Sequence, residues 1–136
     1  MTLLELLVTL ALVGILAALA YPSYQATLLR AHRTEAIDAL KKALGSRPGF
    51  AAAHYALGKQ LEVTGDLPGA IAQYQEAVRL EPGMVPAHNN LAVARFRTGD
   101  YRGAWESVRR CRERGFEPAA GFLRALGERF PEPAGQ

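Results

Sequence analysis

The chain has little of what usually staples, decorates or catalyses. A single cysteine, Cys111, stands among its 136 residues, so no internal disulfide can form and the folded part is held by its core alone. No Asn-x-Ser/Thr sequon occurs. No Ser/His/Asp set, phosphate-binding glycine loop, catalytic carboxylate pair or Cys/His metal spacing is present, which argues against an enzyme and against any cofactor or metal. The eight prolines and thirteen glycines are scattered as punctuation, and no low-complexity linker is built from them. Charge of one sign is also scarce: the net charge of +3, carried mostly by arginine, does not demand a nucleic-acid partner. No lysine or arginine precedes Arg30, and no strand-like alternation follows Gly45.

What the chain does have is grease at its start. Residues 3–20 form an apolar run broken only by Glu5. Eighteen helical residues rise about 27 Å, just enough to cross a hydrocarbon core. A cleavable secretory signal is one reading, since Ala18-Leu19-Ala20 resembles a small-x-small cleavage site, but the basic region expected ahead of it is missing. A permanent anchor is another, with Arg30 and Arg33 placing the remainder in the cytoplasm. Neither explains Glu5, because a carboxylate in mid-bilayer costs about 2.5–3.5 kcal/mol.

The third reading rests on the residues themselves. Met1-Thr2-Leu3-Leu4-Glu5, then Gly14-Ile15-Leu16-Ala17-Ala18-Leu19-Ala20-Tyr21-Pro22-Ser23-Tyr24-Gln25, then Arg30-Ala31-His32-Arg33-Thr34-Glu35-Ala36, resemble the N-terminus of bacterial type IV pilins over about 36 residues. The resemblance implies a basic leader removed by a prepilin peptidase. It puts Met1 where the family carries an N-methylated first residue, and pairs Glu5 with the terminal amine of an adjoining subunit. That pairing would relieve two buried charges at once. It also implies that the helix loosens between Gly14 and Pro22 on assembly. Pro22 lacks a backbone donor and crowds the Ala18 carbonyl, while Gly14 reads equally well as a plain helix-packing position. Only Tyr21 and Tyr24 are aromatic on this spine, so electron conduction is not claimed.

After the spine an internal repeat replaces the β-sheet headgroup of a typical pilin. A shift of 34 residues superposes Ala53 on Ala87, His54 on His88, Leu57 on Leu91, Thr64-Gly65-Asp66 on Thr98-Gly99-Asp100 and Gly69-Ala70 on Gly103-Ala104. This period and pattern resemble tetratricopeptide repeats, with repeats over 51–84 and 85–118. Leu57-Gly58 then lets two helices approach closely, Gly65-Asp66 turns the chain, Ala70, Tyr74, Ala77 and Leu80 form a buried stripe, and Pro82 ends the hairpin. Cys111 takes a small core position. A capping helix over 118–130 covers the last apolar surface with Phe122, Leu123, Leu126 and Phe130. Residues 35–44, with Pro48 as stop, read as the second helix of a further repeat and also complete the spine, so one helix over about 2–44 serves both without a flexible linker.

The expected fold is therefore all-α: a long hydrophobic pilin-like helix (1–45, with 34–45 doubling as half a repeat) and a short tetratricopeptide array (46–136). The first helices of the repeats present Tyr55, Lys59, Glu62, Asn89, Val93, Phe96 and Arg97 as a candidate groove for a protein ligand. His54 and His88, one period apart, suit either helix packing or, with further ligands, a metal. The arginines at 95, 97, 102, 109, 110, 112 and 114 outnumber Asp100, Glu106 and Glu113, and either face an anionic surface or pair with acids of adjoining subunits. The function this implies is the major subunit of a type IV pilus-like filament on a bacterial surface. Its copies would bundle spines in a helical homo-oligomer, wait in the inner membrane before assembly, and depend on the pilus assembly machinery. The alternatives are a minor pilin or pseudopilin, and an inner-membrane-anchored adaptor recruiting a partner protein.

Overall fold

The computed structural model describes residues 2–135, and among them six helices form and no strand does. They are α1 (Leu3–Ser46), α2 (Ala51–Thr64), α3 (Leu67–Leu80), α4 (Val85–Arg97), α5 (Tyr101–Arg112) and α6 (Ala120–Arg129). Two compact units arise, Met1–Ala36 and Ile37–Gln136. The all-α expectation holds.

In the first unit α1 begins on a capping box. The Thr2 amide donates to Glu5 Oε2 at 3.0 Å, and the Glu5 amide donates back to Thr2 Oγ1 at 3.3 Å. Two of the free amides at a helix start are satisfied in this way. Glu5 thus has a partner within its own chain, two residues of sequence away from the one the pilin resemblance implied. Pro22 lies inside α1, and the helix runs on through both Gly14 and Pro22, where loosening was expected. One missing donor leaves the bonds on either side in place, and apolar helices tolerate proline on that account. A side chain added at Gly14 would meet nothing within 4 Å, so no packing within the chain requires that glycine. No residue of α1 is buried.

The second unit repeats one device twice. Gly65 (φ 89°) and Gly99 (φ 84°) take the left-handed conformation that closes α2 and α4. Asp66 and Asp100 then cap α3 and α5, each accepting from the amide three residues on (Gly69 and Gly103) at 2.9 Å. Gly58 permits the close approach that the sequence suggested: a Cβ there would sit 2.6 Å from the Tyr74 ring. Two cores follow. Ala70, Tyr74, Leu91 and Ala94 fill the first; Ala92, Ala104, Trp105, Val108 and Leu126 fill the second, with Phe96, Phe122 and Phe130 packed against it. Cys111 is fully buried, and burial pushes its thiol pKa up, as suits a packing residue.

Candidate protein-binding face

Helices α2 and α4 are the first helices of the two repeats, so their free faces form one surface. Asn90 donates to the Tyr55 hydroxyl at 3.3 Å, and Arg97 donates to Glu62 Oε1 at 3.0 Å. The Tyr74 hydroxyl, reaching through from α3, donates to Glu62 Oε2 at 2.8 Å. Burial and the neighbouring Glu62 carboxylate both raise the Tyr74 pKa, so the phenol stays a donor at any physiological pH. The Lys59 ammonium lies 5.8 Å from the centre of the Tyr55 ring, which itself packs 5.9 Å from Tyr74. A polar ladder with an aromatic centre results, anchored from behind and offering Lys59, Val93 and the outer edge of Arg97 to a ligand.

Two of the expected groove residues need correcting. Phe96 faces inward, 5.7 Å edge-on from Phe122 and 5.8 Å from Tyr101, because its helical phase places it on the α5–α6 side. Asn90, one residue beyond Asn89, makes the bond across the face. A one-residue step on a helix is about 100° of rotation, and the sequence alone did not resolve it. Glu5, Gly14 and Pro22 all lie in α1, away in sequence from this face, and Met1 lies outside the described residues.

The two histidines share an unexpected role. His54 Nε2 is 2.9 Å from the Pro48 carbonyl, and His88 Nε2 is 2.9 Å from the Pro82 carbonyl. Each ring ties its helix to the proline turn before it, so the period that pairs the histidines also pairs the prolines. His54 Nδ1 is further engaged by the Gln73 amide at 2.7 Å. Burial, and then the nearby Arg114 and Arg110 charges, hold the His88 pKa below its ordinary value, outweighing the opposite pull of the Pro82 bond. A base whose folded pKa is depressed stabilises the fold fully above its unfolded pKa, about 6.5, and loses that contribution as pH falls toward the folded value. Urea midpoints are therefore expected to drop on acidification below about pH 6.5. In His88→Gln that part of the slope should flatten, and an unchanged slope would assign it elsewhere.

The arginines find their acids at home, where partners on adjoining subunits were one expectation. Arg95 pairs with Asp100, Arg97 with Glu62, Arg110 and Arg114 with Glu113, and Arg112 with both Glu117 and Glu132. Glu117 and Glu132 come from the segments flanking α6, which the count of acids by local sequence had left out. A cleft of about 490 Å³ between α3, α4 and α5 gathers Arg79, Arg95, Arg110 and Arg114. Glu76, Asp100, Glu106 and Glu113 accompany them there, so the cleft has no large surplus of charge to hold an anion.

Known proteins resemble this chain in its repeats. The tetratricopeptide-repeat family model matches residues 25–85 and 64–118. Protein FlbA of Caulobacter vibrioides is 39% identical over 71 residues, which are 52% of this chain and only 12% of that protein. The Sgt2 TPR domain from Aspergillus fumigatus superposes with a TM-score of 0.63 over 77% of this chain and 70% of that one, at 24% identity, a likeness of fold alone. With the hairpins, the capped turns and a family match covering well over half of its length, this chain belongs to the tetratricopeptide-repeat family.

Proposed function

We propose that this protein is a membrane-tethered adaptor whose tetratricopeptide repeats hold a segment of a partner protein on the α2–α4 face. The observation that carries the tether is α1: an 18-residue window of mean hydropathy 2.5 with no residue buried, on a helix long enough to cross a bilayer. Such a helix left in water exposes a run of large apolar side chains that lipid would cover. The family supports a protein ligand, and the anchored polar ladder supplies fixed hydrogen-bonding groups beside an aromatic ring. On this reading the protein resides in a bacterial inner membrane and performs no chemistry.

A photo-crosslinking residue at Val93 of the full chain in membranes should yield a discrete protein adduct. The same residue at Arg109, on the outer helix, should not, and Lys59→Glu should abolish the adduct at 93 while leaving the chain in the membrane pellet. Equal labelling at 93 and 109 would sink the binding face, and release of the chain by alkaline carbonate would sink the tether.

A second reading, the pilus-like filament subunit, is favoured by Glu5 and the pilin-like residues around it. The two differ in what Glu5→Leu does. A tether keeps its insertion and its adduct, losing only a helix cap, whereas a filament subunit stays in the membrane and yields no sheared surface fibres.

A further inference from the structure

The repeat array starts with half a repeat and stops with the complementary half. Thirty-four residues before Ala70, Tyr74, Ala77 and Pro82 stand Ala36, Leu40, Ala43 and Pro48, so the last turns of α1 occupy the phase of a second repeat helix. In α3 the stripe is sealed, with Ala70, Tyr74 and Ala77 all at 0% exposure. In α1 its counterparts are open: Ile37, Leu40 and Leu44 are half-buried and Ala43 is exposed. No first helix covers them, because residues 17–30, which the period assigns to it, continue α1 itself.

At the other end α6 has the phase of a first helix. Its Leu126-Gly127 pair corresponds to Leu57-Gly58, one residue beyond two full periods because the α5–α6 connection is longer. A Cβ on Gly58 would collide with Tyr74, whereas a Cβ on Gly127 would meet nothing within 4 Å. The glycine that admits a second helix is present, and the second helix is not.

We infer that these halves complete each other between copies: α6 of one chain takes the last turns of α1 of the next, with Leu40 against Gly127, and rebuilds a whole repeat at the junction. Side-chain volume supports this occupant. Within the chain, the large Tyr74 meets α2 where Leu61 lines the helix. Across the junction, the smaller Leu40 meets α6 where Phe130 stands at the corresponding place, so large and small exchange sides. The contact joins unlike surfaces, so it does not close on itself and propagates a chain of copies. It stands whether or not the apolar run of α1 sits in a membrane.

The test uses the full chain with detergent micelles in large excess over protein, which keeps the apolar runs of different copies apart. Sedimentation velocity should show wild type growing through dimer, trimer and longer species as concentration rises. Gly127→Arg fills the open slot of α6, and Ala43→Arg blocks the exposed stripe of α1. Arginine is a better helix former than glycine, and both sites are open, so helicity by circular dichroism should be kept. Each variant alone should stay a single chain. Mixed in equal amounts, they retain one intact half each and should stop at the dimer. A wild type that never exceeds one chain, oligomers that survive both substitutions, or a mixture that grows past two copies would each overturn the inference.

Discussion

Tyr74→Ala is expected to be among the most damaging single changes, lowering the stability of the repeat unit by about 3–5 kcal/mol. The ring is fully buried against Gly58, Leu91 and Ala94, and its hydroxyl bonds Glu62. Domains of this size hold about 5–15 kcal/mol in all, so the variant should be largely unfolded at 37 °C in the first repeat. Tyr74→Phe separates packing from hydrogen bonding. It keeps the ring and loses one bond to a carboxylate, about 1.5–3 kcal/mol, toward the low end because Arg97 still holds Glu62. Repeat arrays sum local and neighbour terms. In Tyr74→Ala, loss of helical circular dichroism should therefore precede the change in fluorescence of Trp105, which reports the second core. Coincident transitions near the wild-type midpoint would contradict this account.

Trp105→Ala should cost a similar amount, about 3–5 kcal/mol, but at the other end. The indole is buried, its Nε1 donates to the Phe130 carbonyl at 2.8 Å, and its cluster contains Leu126, the one buried residue of α6. The Arg112 guanidinium lies 6.0 Å from the ring centre and joins Glu117 to Glu132 across α6. Released from this anchor, α6 is a ten-residue helix, shorter than the roughly 12–15 residues that hold together in water. Amide exchange over 120–129 should then rise to nearly unprotected rates while α2 and α3 stay protected. Persistent protection of α6 would show that Phe122 and Leu123 dock it without the tryptophan.

The repeats were legible because glycine and aspartate mark turns by backbone necessity: Gly65 and Gly99 need positive φ, and Asp66 and Asp100 need an amide three residues on. The stripe of Ala70, Tyr74 and Ala77 was legible from helical spacing, and Leu80 proved half-buried at its end. Residues on the binding face were less so, since Asn89 and Asn90 differ only by a rotation that packing decides. The histidine–proline bonds were hidden because their acceptors are main-chain carbonyls, which no residue type announces. Glu5 shows the opposite failure. Thr2-Leu3-Leu4-Glu5 spells a capping box in plain sequence, yet the apolar surroundings drew attention to its charge rather than its neighbour.

Cys111 gives this molecule an internal clock. Its sulfur is sealed behind α5 and is the sole thiol in the chain, so an alkylating reagent can reach it only when the second hairpin swings apart. The pace of mass gain thus counts those openings directly. A ligand gripping α4, or a neighbouring copy bracing α6, should slow the tally in proportion to how firmly it holds.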